Sequence, residues 1–224
     1  DSALPGSLYP NGYQPFLVID ESDFQTVLGI KGPSFMGWSW NLTSSYGQDN
    51  ANLEITKTYN PTLVTLNATN TAITGTGPTN FHSGNFINSQ WTNNLEFDKS
   101  LDAGLPAPLH TSVGFEYRLE EYQIEPGDPA GYEIGPQLTV PVGTGGSNGT
   151  VANLAPGTQA FGTFRPADAS DNTRDNVSAY IDLETNLTPQ WLIGIAGRFE
   201  DYSDFGSTES GKFTTRYDFS KEFA

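Results

Sequence analysis

The chain has 224 residues, the size of one large all-β domain or two small ones. Ten Lys and Arg against 26 Asp and Glu leave a net charge of −16. That argues against a nucleic-acid partner and against a polybasic membrane anchor, both of which need concentrated positive charge. Cysteine is absent, which excludes disulfides, thiolate metal sites and cysteine nucleophiles.

Only 16% of residues are charged and 12% are aromatic, with 24 Gly and 15 Pro. An acidic disordered tail would carry few rings, so this composition reads as a turn-rich β protein. The longest apolar run, Trp191–Gly197, is far shorter than the roughly 20 residues of a membrane helix. Barrel strands escape that test, because only half of their residues are apolar.

Period-two alternation predicts seven strands in chain order. Phe24–Ile30 alternates loosely, and Trp38, Trp40, Leu42 and Tyr46 oppose Ser39, Asn41, Thr43 and Ser45. Next, Trp91, Asn93, Leu95 and Phe97 oppose Thr92, Asn94, Glu96 and Asp98. Leu109, Thr111, Val113, Phe115, Tyr117 and Leu119 oppose His110, Ser112, Gly114, Glu116, Arg118 and Glu120. Val177, Ala179, Ile181 and Leu183 oppose Ser178, Tyr180, Asp182 and Glu184. Trp191, Ile193, Ile195, Gly197 and Phe199 oppose Leu192, Gly194, Ala196, Arg198 and Glu200. Phe213, Thr215, Tyr217 and Phe219 oppose Lys212, Thr214, Arg216 and Asp218. In the last five segments every charge lies on the polar parity.

Strand length separates the architectures. Soluble strands average five or six residues, whereas 109–121 and 191–202 alternate for about a dozen, enough to cross a bilayer at a tilt. Trp91, Trp191, Phe199, Tyr217 and Phe219 sit near segment ends on the apolar parity, as an interfacial girdle requires. The connections alternate. Gly32–Gly37, Ala103–Pro106 and Leu187–Gln190 are tight, 47–90 and 124–173 are long, and 203–210 is intermediate. Short turns on one rim and long loops on the other fit an antiparallel up-and-down transmembrane β-barrel segment.

No motif supports catalysis. Glu116, Glu120 and Glu121 offer carboxylates, but Arg118 lies between the two that share a face and neutralises them. Glu116, Arg118, Glu120, Asp182, Glu184, Arg198 and Glu200 therefore read as a charge ladder lining a polar interior. His82 and His110 fall in different segments, so no histidine metal site is expected. Asp168, Asp171, Asn172 and Asp175 miss the spacing of an EF-hand and read as a solvated loop. The glycine-rich 143–149 lacks the Lys-Ser/Thr and helix of a phosphate loop. Asn41, Asn67, Asn148, Asn176 and Asn186 match the glycosylation sequon, as chance allows in an Asn- and Thr-rich chain.

The stretches 174–184 (RDNVSAYIDLE) and 197–206 (GRFEDYSDFG), with Gly211-Lys212 and Arg216-Tyr217, resemble the barrel of TonB-dependent outer-membrane receptors. So do 114–118 (GFEYR), Glu121-Tyr122, 125–128 (EPGD) with Tyr132, 37–40 (GWSW), 45–47 (SYG) and 91–95 (WTNNL). The resemblance spans about residues 20–224. That family carries a TonB box, a plug domain and a 22-stranded barrel. Seven strands without a plug or TonB box imply that 1–224 is a middle slice of one barrel domain, with open edges.

For the parent protein, the resemblance implies residence in the bacterial outer membrane and energy-coupled uptake of a scarce nutrient. The nutrient would be a ferric siderophore, cobalamin, haem or an oligosaccharide. The implied partners are outer-membrane lipid, the TonB complex acting through the plug, and the nutrient itself; no cofactor and no enzymatic activity are implied. Tyr132, Phe161, Phe164 and Arg165 are the expected ligand contacts in the long loop, since rings stack on sugars and Arg pairs with anions. Two other readings stay open. One is a small stand-alone barrel or passive channel, completed by an eighth strand at Phe16–Asp20. The other is a secreted β-sandwich adhesin or carbohydrate-binding module.

Overall fold

A computed structural model gives the fold and describes residues 9, 12–63, 65–66, 73–75, 77–136, 139–141, 151–153 and 155–220. The strands are β1 (Phe16–Phe35), β2 (Trp38–Thr56), β3 (Thr65–Leu66), β4 (Ile73–Gly75), β5 (Phe81–Leu101) and β6 (Leu109–Pro126). They continue with β7 (Thr139–Pro141), β8 (Val151–Asn153), β9 (Ser170–Thr188), β10 (Trp191–Tyr202) and β11 (Gly206–Tyr217). Seven long strands form one antiparallel up-and-down sheet in the order β1-β2-β5-β6-β9-β10-β11. The pairs β3–β4 and β7–β8 are separate small hairpins inside the two long connections.

The seven expected strands are the seven of this sheet, but most are longer than the alternation showed. β1, β2, β5 and β9 run 20, 19, 21 and 19 residues. Ladder hydrogen bonds need only backbone groups, so pairing continues through polar stretches such as 81–90, where side-chain alternation fades. The long connections shrink accordingly to 57–80 and 127–169. The third, expected to be of intermediate length, closes in Ser203–Phe205. Ser207–Ser210 pair with Arg198–Asp201, and Gly206 at φ 89° takes up the turn. Phe16–Asp20 is not an eighth strand but the first part of β1.

The other three turns are tight for identifiable reasons. Met36 and Gly37 both have positive φ, 55° and 81°, the type I′ geometry whose twist matches flanking antiparallel strands. Between β5 and β6, the Gly104 N–H donates to Asp102 Oδ1 at 3.2 Å. Between β9 and β10, Pro189–Gln190 turns, and the Gln190 N–H donates to Thr188 Oγ1 at 3.3 Å.

The chain divides into two compact units, one comprising 1–23, 49–88 and 122–171, the other 24–48, 89–121 and 172–224. In the second unit, the apolar parity of the sheet is bare. Ile195 is 56% exposed and Phe213 67%, with Phe115, Val177 and Phe199 exposed beside them. A sandwich would bury that face against a second sheet. Instead, all buried hydrophobic side chains among the described residues, Leu53, Ile55, Tyr59 and Phe81, belong to the first unit. Indole N–H groups pin neighbouring strands on the apolar face: Trp91 donates to Ser44 Oγ at 2.9 Å and Trp191 to Thr215 Oγ1 at 2.8 Å.

Candidate functional site

The first unit carries the long connections, and Asn60 holds them together. Its Nδ2 donates to the carbonyls of Ala130 (3.0 Å) and Glu133 (2.8 Å). Its Oδ1 accepts from the N–H of Thr62 (3.1 Å), the Thr62 hydroxyl (2.8 Å) and the N–H of Gly157 (3.1 Å). One buried amide therefore satisfies groups from three separate stretches of chain, as burial of backbone polar atoms demands. Thr58 adds a reciprocal pair with the backbone of Gln159, both at 3.0 Å. The Ser83 hydroxyl donates to Gly162 O at 2.7 Å. Close approach is built in at Gly135, where a Cβ would lie 2.1 Å from Thr62 O.

Within this unit the expected ligand contacts are unequally placed. The ring of Phe161 is 40% exposed and the side chain of Arg165 is exposed. The ring of Phe164 packs edge-on to Phe86 at 5.2 Å, and its N–H donates to Ser83 O at 2.9 Å. Tyr132 is half-buried after a short 3₁₀ turn, Pro129–Gly131, its N–H donating to Pro129 O at 3.0 Å. Phe161, Phe164 and Arg165 thus fall on one turn of chain, and Phe164 also serves as packing for β5.

A tyrosine cluster completes the unit. The Tyr13 hydroxyl donates to Tyr59 Oη at 3.4 Å, and Tyr9 stacks on Tyr13 with centroids 4.8 Å apart. Burial, then the bond to Tyr13, pushes the Tyr59 phenol well above its ordinary value. The folded chain holds that proton more tightly than the unfolded one. The resulting contribution is full below the ordinary phenol value near 10 and falls as pH rises past it. Absorbance titration at 295 nm is expected to show Tyr59 ionising last, and thermal stability is expected to drop only above about pH 10. Ionisation together with the exposed tyrosines would contradict this.

In the second unit, the polar parity forms a closed ionic square. Glu116 Oε1 accepts from Arg198 Nη2 at 2.9 Å and from Arg118 Nη2 at 3.2 Å. Glu200 Oε1 faces the same two groups at 3.0 and 3.7 Å. Arg118 Nη1 reaches Glu120 Oε1 at 3.5 Å, and Arg174 pairs with Glu120 as well. The carboxylates of Glu116 and Glu120 are therefore neutralised, as the intervening Arg118 suggested. Asp182 and Glu184 share the face, opposite Ala196 and Gly194, but remain exposed. Tyr180 lies across Gly114, where a Cβ would sit 2.1 Å from its ring, and donates to Glu96 at 3.1 Å.

Sequence reasoning missed part of this ladder. Arg174 lies over the rings of Tyr202 and Phe205 at 5.4 and 5.9 Å, and those rings stack at 4.3 Å. The parity of Arg174 with Ser178 and Tyr180 was the available signal. No parity signal marks Asn60, which lies outside the strands.

The remaining chemistry-bearing residues are separately engaged. His82 Nε2 meets Asn85 Oδ1 at 3.1 Å, and His110 Nδ1 meets Ser100 Oγ at 2.9 Å. Asp168 Oδ2 accepts from the Arg165 N–H at 2.9 Å, closing a local turn. Among the described residues no three His, Asp or Glu side chains converge as metal ligands. A depression of about 510 Å³ near the Met36–Gly37 turn is lined by Ser39, Asp98, Ser100, His110 and Ser112. Within it, Ser112 donates to Asp98, and Ser39 to Asp98 O at 3.1 Å. Asn176 is buried within β9, and Asn41 and Asn186 are half-buried within strands. Asn67, Asn148 and the glycine-rich 143–149 lie outside the described residues.

Comparison with known structures finds the siderophore receptor PirA from Acinetobacter baumannii, with a TM-score of 0.53 and 15% sequence identity. The match covers 91% of this chain and 24% of that one, so the present chain spans about a quarter of the receptor it resembles. At that identity the likeness establishes the fold alone. No curated protein matches the sequence. The profile of the family described as "TonB dependent receptor-like, beta-barrel" matches residues 5–224. With nearly its whole length matched, and folded as one sheet of seven up-and-down strands, the chain belongs to the TonB-dependent receptor β-barrel family.

Proposed function

We propose that this chain is a section of barrel wall from an outer-membrane transporter that takes up a scarce nutrient using energy delivered by the TonB complex. The observation that carries the reading is the two-faced sheet: bare apolar side chains on one parity, a neutralised charge ladder on the other. A lipid-facing exterior and a polar lumen require that division. Glu116, Arg118, Glu120, Asp182, Glu184, Arg198 and Glu200 then face the lumen. The unit held by Asn60 presents Phe161 and Arg165, with Tyr132 and Phe164, toward the nutrient. The edge strands β1 and β11 pair with further strands of the parent barrel, which satisfies backbone groups that lipid would leave unpaired.

The test has two arms. In the full-length receptor in intact cells, a cysteine at Thr214 is expected to react with a water-soluble maleimide. A fluorophore attached through a cysteine at Phe213 is expected to be quenched by brominated lipid. The reverse pattern would overturn the assignment of faces. In the second arm, a strain lacking the gene is grown in turn on limiting iron chelates, cobalamin, haem and oligosaccharide. A defect in one medium, reproduced by deleting TonB, supports the transporter and identifies the nutrient class. A defect insensitive to TonB would indicate passive passage.

A further inference from the structure

Three buried side-chain atoms of β6 and β9 have no hydrogen-bond partner among the described residues: Asn176 Oδ1, Ser178 Oγ and Arg118 Nε. Asn176 is 1% exposed and Ser178 2%. Strand pairing sets their residues on one face of neighbouring strands. On one side Ser178 lies opposite Glu200, and Asn176 opposite Tyr202. On the other, Tyr180 lies over Gly114 and Arg174 pairs with Glu120. Counted along an antiparallel pair from those two contacts, Glu116 falls level with Ser178 and Arg118 level with Asn176. Leaving such atoms buried and unpaired is costly, because each has given up water without regaining a bond.

We propose that this seam between β6 and β9 is a binding site for one buried water molecule, a fixed part of the wall. The polarity of the three atoms selects the ligand. A metal cation has no lone pair to accept the Arg118 N–H. Chloride would meet the oxygen of Asn176, which faces the seam because its Nδ2 donates toward Asp201 O at 3.4 Å. Water accepts from Arg118 Nε and donates to Asn176 Oδ1 and Ser178 Oγ, about three bonds, the usual complement of a buried water. Arg118 and Arg198 are each held between Glu116 and Glu200, which fixes the Arg118 side chain that supplies the donor. The water links two strands through side chains where no direct side-chain bond joins Arg118 to Asn176. This inference does not depend on what the receptor transports.

A crystal structure of the full-length receptor, at a resolution that shows ordered solvent, tests it. The expected result is a density peak about 3 Å from all three atoms, retained in Ser178→Thr and lost in Ser178→Val, whose methyl replaces the hydroxyl. Where Ser178→Val does not fold, Ser178→Ala serves: the peak stays on Arg118 Nε and Asn176 Oδ1. A wild-type map without the peak, with Arg118 Nε bonded directly to Asn176, would overturn the proposal. So would an anomalous signal identifying chloride or a metal.

Discussion

Ile195→Arg is expected to destabilise the full-length receptor by about 2–4 kcal/mol in a bilayer, the cost of a guanidinium near the midplane on a lipid-facing strand position. Ile195 lies on the bare parity, paired with Leu183 on β9 and Phe213 on β11. All three are apolar, so no neighbouring carboxylate can neutralise the new charge. The adjacent Gly194→Ser supplies the contrast. A Cβ at Gly194 meets nothing closer than 3.7 Å, and the added hydroxyl points to the charged face. Its cost is expected within about 0.5 kcal/mol. Reversible denaturant unfolding from lipid vesicles measures both. Equal costs would refute the division of the sheet into lipid and lumen faces.

Asn60→Ala is expected to loosen the long connections without touching the sheet. The truncation removes five hydrogen bonds at once: those to the carbonyls of Ala130 and Glu133, to the N–H and hydroxyl of Thr62, and to the amide of Gly157. At about 0.5–1.5 kcal/mol for each bond, their joint loss costs roughly 3 kcal/mol. Amide hydrogen exchange reads this directly. Protection at Thr62 and Gly157 is expected to fall roughly a hundredfold, while β9 and β10 stay unchanged. Asn60→Asp keeps the acceptor atom and loses the two donations, so its effect should be intermediate. Unaltered protection in Asn60→Ala would mean that Thr58, Ser83 and the close packing at Gly135 hold the connections without it.

Where apolar and polar residues alternated, the sequence was sufficient. Trp191–Glu200 and Leu109–Glu120 show their strand, their faces and the neutral pairing of Glu116 with Arg118, because a two-residue period leaves a strand no other way to separate these side chains. Strand ends were not legible. Ser207–Ser210 and Phe81–Gln90 belong to strands, and no alternation of apolar and polar residues announces it.

By itself, then, the sequence determined the seven strands of the main sheet, the two parities and the family resemblance, since each depends on local periodicity or on contiguous residues. Only the tertiary structure decided which distant residues share a site. Asn60 meets Ala130, Glu133 and Gly157, and Arg118 and Arg198 meet between the same two carboxylates, Glu116 and Glu200. Those meetings depend on register between strands and on loop closure across some seventy to a hundred residues. Both are set by the summed pairing of whole strands, which no short stretch of chain encodes.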